Sequence, residues 1–163
     1  MKKYTKQDHR ALATWAAECA ARVLPYFEKA RPKDDRPRKA IQACRAWMRT
    51  GEFSMAAIRG ASLAAHAAAR QVNGNSAARF AARAAGQAVA TAHVPQHAYG
   101  GAYYALKAIA AADAADAEAR VNQERDWQAR RLPERLKEQI MDRILVSKRG
   151  GSVLIKIRKG EGY

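Results

Sequence analysis

Cysteine is scarce in this chain of 163 residues, with only Cys19 and Cys44 present. Both lie within apolar helical patterns rather than in a spaced framework, so the sequence predicts neither a disulfide nor a zinc site. We expect two small buried side chains in a protein of a reducing compartment.

Long hydrophobic runs are also missing. A charged residue or a histidine recurs even in the Ala-rich middle, so no stretch approaches the roughly 18 to 20 apolar residues that a membrane-spanning helix needs. The basic start MKKYTKQDHR resembles a signal peptide only superficially, because Glu18 and Arg22 interrupt the apolar segment that follows. The sequence therefore predicts a soluble, cytoplasmic protein without a membrane partner.

Carboxylates are absent from the whole stretch between Glu52 and Asp113. Four arginines of this stretch therefore lack an acid within their own helices: Arg59, Arg70, Arg79 and Arg83. Such residues usually form a solvated face, but they are also free to bind an external anion or an acid from another helix. Arg79 and Arg83 are one helical turn apart, which predicts a cationic ridge.

Catalytic motifs are missing as well. The chain has no G-x-S-x-G nucleophile elbow, no G-x-x-x-x-G-K phosphate loop and no H-E-x-x-H zinc motif. We therefore expect a protein that is not an enzyme and that needs no cofactor.

Positive charge is what the sequence has in excess. Thirty Lys and Arg against 15 Asp and Glu give a formal net charge of +15 and a pI near 10.3. This charge predicts an anionic partner, which could be nucleic acid, an acidic protein or a phosphorylated ligand. Nucleic-acid binding stays an open alternative, although there is no helix-turn-helix signature and aromatic residues make up only 7% of the chain, which leaves little for base stacking.

Helical periodicity dominates the chain. Apolar residues recur at spacings of three and four, and 28 of the 66 residues from 54 to 119 are alanine, whose small side chain lets helices approach closely. We predict an all-α fold, a compact bundle or array of about six Ala-rich helices over residues 1–147. Residues 148–163 are expected to form a basic, flexible tail, in which a strand at 153–157 would have no partner.

Several helix ends can be placed from single residues. Thr5 is predicted to cap the first helix, and Pro25 to kink or end it near Leu24, because proline lacks the backbone donor. Ser54 and Ser76 are predicted to cap the third and fourth helices.

The histidines raise the question of a metal site. On an unbroken helix His93 and His97 would face the same side, as zinc ligands do, but Pro95 disturbs that register. A third ligand would have to come from His66 or a distant acid. We therefore expect no metal and an elbow between two helices, and a histidine-dependent metal enzyme is the least favoured alternative.

The segment DDRPRK, residues 34–39, places two acids and two arginines at the start of a helix. It could hold a carboxylate of a partner, but the acids are also ordinary helix caps that neighbouring arginines can pair with. In a later segment, Tyr103 shares a face with Leu106, which leaves Tyr104 as the better candidate for an interface.

Several motifs occur together in a fixed order: LPYFE, RPRKAIQACRAW, AAHAAAR and ATAH followed by AYYA. With them, residues 8 to 132 resemble the bacterial immunity protein family of polymorphic toxin systems that has an immunity-protein-five-like domain. The resemblance implies an all-helical, cytoplasmic protein that binds and neutralises a cognate toxin without catalysis. The shared motifs and the cationic ridge give these candidate partner-binding residues: Asp35, Arg36, Arg38, His66, Arg79, Arg83, His93 and Tyr104.

The net charge limits the kind of toxin that this resemblance implies. Inhibitors of nucleases commonly imitate the negative charge of the substrate, because the active site they block is cationic. A protein of charge +15 would be repelled by such a site. We therefore expect a toxin with an acidic surface, or one that is bound away from its active site.

Overall fold

The computed structural model describes residues 4–158. Within this range the chain forms seven helices followed by a two-stranded antiparallel hairpin, which confirms the predicted all-α class apart from the hairpin. The elements are α1 (Lys6–Ala30), α2 (Arg36–Thr50), α3 (Met55–Arg70), α4 (Ser76–Ala90), α5 (His97–Ala112), α6 (Ala117–Arg131), α7 (Glu134–Met141), β1 (Ile144–Arg149) and β2 (Ser152–Ile157). None of these helices is both long and apolar enough to cross a membrane.

Helix α4 lies at the centre of the array and packs against α1, α2, α3 and α5. Its buried residues are almost all alanine, so the neighbouring helices approach it closely on several sides. After its exposed first residue, Ser76, only one stripe of α4 stays partly open to solvent, and its residues recur at spacings of three and four: Arg79 and Phe80, Arg83, Gln87 and Ala90. This stripe forms the floor of the site described below.

The predicted caps of α1 and α3 are confirmed, and the predictions for two other helix ends are wrong. The side chains of Thr5 and Ser54 accept hydrogen bonds from backbone amides at the starts of α1 and α3. The cap of α4 is Asn75 rather than Ser76, and its side chain accepts from the amide of Ala78. Pro25 lies inside α1 and does not end it, because Phe27, fully buried two residues later, keeps the helix packed on the core despite the lost backbone bond.

The expectation that residues 153–157 lack a partner strand is wrong. β2 pairs with β1, whose residues 144–149 straddle the expected boundary at residue 147. Gly150 and Gly151 join the strands with φ of 57° and 82°, and a two-residue hairpin turn favours such positive values. Ile144 and Ile155 are buried in the main core. The remaining residues of the predicted tail, 159–163, lie outside the described residues.

An ion pair joins α1 to α6. Arg22 donates two hydrogen bonds from Nε and Nη2 to the carboxylate of Glu124, at 2.8 and 2.9 Å. The guanidinium also lies 4.1 Å from the ring centre of Trp127. The Glu124 side chain is only 6% exposed, whereas that of Arg22 is 45% exposed, so the carboxylate depends on this partner much more than the arginine does.

A second ion pair joins the start of α1 to α7. The Asp8 carboxylate accepts hydrogen bonds from the Thr5 hydroxyl at 2.8 Å and from Nε of Arg135 on α7 at 2.9 Å. The hydrogen bond from the Thr5 side chain is the largest effect on Asp8, and together with Arg135 it lowers the pKa of Asp8 below its ordinary value despite partial burial.

We expect Asp8→Asn to lower the free energy of unfolding by about 1 kcal/mol at pH 7, because a neutral amide accepts weaker hydrogen bonds from Thr5 and Arg135 than the carboxylate does. A carboxylate with a lowered folded pKa stabilises only while it is ionised. The difference from wild type should therefore shrink as the pH falls from about 4 through the lowered pKa of Asp8. Urea unfolding of both proteins between pH 7 and pH 2.5 measures it. A difference that stays constant over this range would contradict the assignment.

Candidate functional site

The open stripe of α4 is bordered by α3 on one side and by α5 on the other. Where the three helices meet the elbow before α5, they enclose a pocket of about 390 Å³. We call it the histidine pocket, and it is lined by Met55, Ile58, Arg59, Ser62, Leu63, His66, Gln87, Ala90, His93 and His97. It combines apolar walls with several polar groups, as small-ligand and anchor-residue sites do.

Two glycines let the polar side chains lie flat in this pocket. A Cβ at Gly86 would lie 2.7 Å from Nε2 of His66, so the imidazole rests directly on the backbone of α4. A Cβ at Gly100 would lie 2.8 Å from the side chain of Gln87, which occupies the equivalent space against α5. Any larger residue at either position would push these side chains out of place.

Hydrogen bonds fix part of the pocket. Ser62 donates from Oγ to the carbonyl of Gly86 at 3.0 Å, which ties α3 to α4. His97 donates from Nδ1 to Oε1 of Gln87 at 2.8 Å, which ties the first residue of α5 to α4. His66 is different, because no residue in 4–158 makes a hydrogen bond to either of its ring nitrogens.

Burial keeps His66 and His97 neutral at pH 7. It is the main cause that lowers the pKa of His66, and the positive charges of Arg83 and Arg70 add to it. Burial also lowers the pKa of His97, with a smaller contribution from His93. The pocket therefore offers neutral imidazoles, which can donate and accept hydrogen bonds and can be protonated if an anion enters.

The rim of the pocket is apolar and exposed. Phe53, Met55 and Leu63 are 48%, 44% and 55% exposed, and among residues 4–158 they are the large hydrophobic side chains with this exposure. Met55 and Leu63 line the pocket, and Phe53 stacks on His93 with ring centres 6.4 Å apart. Scattered apolar residues are normal on a surface, but a cluster around one pocket is typical of an interaction site.

Aromatic rings and cations continue the surface along α4 and α5. Phe80 and Tyr104 stack with ring centres 6.1 Å apart, and Arg83 lies 5.8 Å from the centre of Tyr104. Lys107 lies 4.5 Å from the centre of Phe80 and donates to the hydroxyl of Tyr103 at 3.3 Å. These half-buried rings and their cations extend the rim beyond the pocket.

The cations of this surface have no carboxylate to neutralise them. In the part of the chain that the structure describes, no ion pair involves the four arginines of α3 and α4. The nearest acids in sequence are Glu52 and Asp113. We call the whole surface the α3–α5 face, and it consists of the histidine pocket, its rim with Phe53, the arginines Arg70, Arg79 and Arg83, and Phe80, Tyr103, Tyr104 and Lys107.

Five of the eight predicted site residues lie on this face. His66 and His93 line the pocket, and Arg79 continues the α4 stripe. Arg83 lowers the pKa of His66 and lies close to the ring of Tyr104. His93 is exposed and lies in the predicted elbow, which spans residues 91–96 in the structure. The role of these residues in binding stays a prediction.

The other three predicted residues lie at the start of α2 and are occupied by ion pairs. Arg36 pairs with Asp34 and also donates to the Gln71 side chain, both at 2.6 Å. Arg38 pairs with Glu28 at 2.6 Å. Asp35 pairs with Lys39 at 2.9 Å on the same helix. These contacts neutralise the charges locally and hold α2 to α1 and to the end of α3.

Sequence reasoning missed the apolar rim. Met55 has the same helical spacing as the buried Ile58 and so looks like a core residue in the sequence, and neither Phe53 nor Leu63 belongs to a motif. The signal was present in the sequence, because Leu63 falls off the stripe of α3 and Phe53 precedes the helix cap, so neither has a place in the core. Gln87 was also missed, and nothing in its sequence context distinguishes it.

The three histidines do not form a metal centre with other ligands. Among residues 4–158, no group of three or more His, Cys, Asp or Glu side chains is arranged to hold a metal ion. Cys19 and Cys44 are buried free thiols, and neither lines the histidine pocket. Burial raises the pKa of the Cys44 thiol to about 12.

Comparison with known protein families gives a match that covers most of the chain. A sequence model described as "Imm-5 like putative immunity protein" matches residues 2–135, which include the entire α3–α5 face. No curated protein and no solved structure matches the chain. The hairpin of β1 and β2 lies beyond the matched region.

Proposed function

Because the chain belongs to the family described as "Imm-5 like putative immunity protein", we propose that it binds a cognate protein toxin in the cytoplasm and neutralises it. Neutralisation on this proposal is by occupation of the toxin surface and involves no catalysis. The family supports the immunity role in general, and the surface chemistry supports the way in which the toxin is bound.

One observation carries the proposal, which is the coincidence of exposed apolar side chains and unpaired arginines on the α3–α5 face. Protein interfaces are enriched in aromatic residues, Met and Arg, and their strongest contacts are apolar or aromatic anchors in pockets. Phe53, Met55 and Leu63 supply the apolar part, and Arg59 and Arg83 supply charge next to it. The start of α2 offers no such combination, because Arg36 and Arg38 already have acidic partners.

The charge of this face specifies the partner further. A surface with several cations and no carboxylate attracts an acidic surface and repels a cationic one. We therefore propose that the toxin presents an acidic patch to the α3–α5 face. Electrostatic attraction of this kind mainly accelerates association and weakens as salt is added.

Co-expression tests the proposal. We define the neighbouring toxin as the protein encoded next to this chain whose expression alone arrests growth of the host cell. Co-expression of this chain is expected to restore growth, and the two purified proteins are expected to form a 1:1 complex that survives nuclease treatment. Growth that stays arrested, or the absence of any growth-arresting neighbour, would contradict the proposal.

Salt dependence separates this function from nucleic-acid binding, which the net charge alone favours. Six to ten phosphate contacts would lower affinity by about 10³ to 10⁵ between 50 and 200 mM salt. A complex whose apolar anchors contribute most of the binding free energy should weaken much less over this range. Binding to DNA or RNA that is tight at 50 mM and lost at 200 mM, without protection against the toxin, would favour the alternative.

A further inference from the structure

The histidine pocket contains hydrogen-bond donors that the fold leaves unused. Neither ring nitrogen of His66 has a hydrogen-bond partner among residues 4–158, although the side chain is half-buried. Gln87, also half-buried, lines this space and its amide nitrogen makes no hydrogen bond to the described residues, while Arg59 lines it from the exposed edge. Half-buried donors without partners favour a ligand that accepts hydrogen bonds.

The walls of the pocket indicate that the remainder of the ligand is apolar. Ile58 and Ala90 form an apolar interior, and Met55 and Leu63 continue it outward to the exposed rim. A volume of about 390 Å³ falls within the range of pockets that enclose small ligands or anchor side chains. The site therefore suits an apolar group that carries, or lies beside, a carboxylate.

We infer that the histidine pocket is the anchor point of the toxin interface, where an apolar side chain of the toxin inserts and an adjacent toxin carboxylate accepts hydrogen bonds from His66 and Gln87. The inference rests on the proposed function. The exposed rim favours a protein occupant, because Phe53 and Leu63 extend the apolar surface past the pocket mouth, where a small molecule would leave them in water. The unpaired arginines around the rim favour an acidic protein.

A pH dependence follows from the groups that face His66. These are Arg59 and Arg70 on α3, Arg83 on α4, and His93 and His97 at the elbow and the start of α5, and no carboxylate lies in this stretch of chain. Without a ligand, burial and the nearby charges of Arg83 and Arg70 keep the pKa of His66 low. A bound carboxylate raises it, so binding takes up a proton and tightens as the pH falls through the pKa of the bound state. A rise of one unit corresponds to about tenfold in affinity.

The test makes the same change, alanine to phenylalanine, at two half-buried positions. The readout is the dissociation constant of each variant for the purified neighbouring toxin. Ala90→Phe fills the pocket, whereas Ala46→Phe on α2 adds the same ring outside it. We expect Ala90→Phe to weaken binding by about 30-fold or more, as expected of a blocked hot spot. Ala46→Phe should stay within about threefold of wild type, and thermal unfolding checks both folds.

Two further variants keep the inference testable if Ala90→Phe does not fold. Leu63→Asp changes an exposed side chain and should also weaken binding by at least tenfold. His66→Gln keeps a donor but cannot be protonated, so it should bind at pH 7.5 within a few-fold of wild type and lose the tightening between pH 7.5 and 5.5.

The outcomes distinguish the two proposals. Failure of the wild-type chain to bind the toxin would overturn the proposed function and the anchor together. Wild-type binding that Ala90→Phe and Leu63→Asp leave unchanged would overturn the anchor alone. Self-association of the wild-type chain that Ala90→Phe abolishes would assign the pocket to a second copy and would likewise overturn the inference.

Discussion

Changing Arg59 and Arg83 together to glutamate is expected to weaken binding of the neighbouring toxin by about 100-fold or more. Both arginines lie on the α3–α5 face without an acidic partner among the described residues, so the double change places two negative charges opposite the acidic patch of the toxin. Like charges facing each other across an interface cost several kcal/mol, and about 1.4 kcal/mol corresponds to tenfold in affinity. Association should slow as well, most strongly at low salt.

The matched control is the double change of Arg45 and Arg49 to glutamate. These two arginines are exposed on α2, one helical turn apart, and each pair of substitutions lowers the net charge from +15 to +11, since each change removes two charge units. Surface plasmon resonance at two salt concentrations measures both variants. Equal weakening by the two variants would indicate that only total charge matters, and it would contradict a specific role for the α3–α5 face.

Changing Arg22 to methionine is expected to lower the free energy of unfolding by about 3 kcal/mol, which is the lower end of the cost of breaking a buried ion pair from one side. The Glu124 carboxylate is 6% exposed and cannot reach water easily once its guanidinium partner is gone. For a domain of this size, the loss corresponds to a decrease in Tm of roughly 6 to 12 °C. Differential scanning calorimetry measures it.

Two controls test the asymmetry of this pair. Glu124→Gln leaves Arg22 free to reach solvent and to stay near Trp127, so it should cost only about 1 kcal/mol. Arg38→Met removes the arginine of an exposed pair with Glu28 and should cost less than about 1 kcal/mol. If Arg22→Met cost no more than Arg38→Met, the buried carboxylate would not be what stabilises the packing of α6 on α1.

Much of the helical architecture could be predicted because its signals are local. Thr5 and Ser54 cap their helices with their own side chains, and Gly51 ends α2 with a φ of 72°, a conformation that glycine adopts without strain. The elbow around Pro95 was predictable for the same reason, since proline restricts the residue before it. Each of these features depends on a few neighbouring residues.

The errors occurred where distant packing or pairing decides the structure. Pro25 is tolerated inside α1 because buried residues on both sides of it hold the helix against the core, and a local rule cannot weigh that contribution. The hairpin was missed although the sequence ILVSKRGGSVLIKI has two β-branched runs around a Gly-Gly turn. Its first run begins with Ile144, which continues the four-residue spacing of Leu136 and Ile140, so it resembles the end of a helix and leaves the second run without a partner strand.

The candidate site could be predicted only in part. His66, His93, Arg83 and Tyr104 were singled out from motifs and charge, but their grouping on one surface depends on how α3, α4 and α5 pack together. The rim of Phe53, Met55 and Leu63 could not be predicted as a whole, because the sequence does not show which apolar side chains stay exposed once the helices have packed.

Hydroxyl-radical footprinting of the chain, alone and in complex with the neighbouring toxin, tests the central claim most directly. Phe53, Met55 and His93 are exposed, reactive side chains on the α3–α5 face, and Trp127 on α6 is a half-buried reporter on another surface. We expect the toxin to protect the first three side chains from oxidation and to leave Trp127 unchanged. Protection of Trp127 with Met55 and His93 still fully oxidised would place the toxin elsewhere and contradict the account.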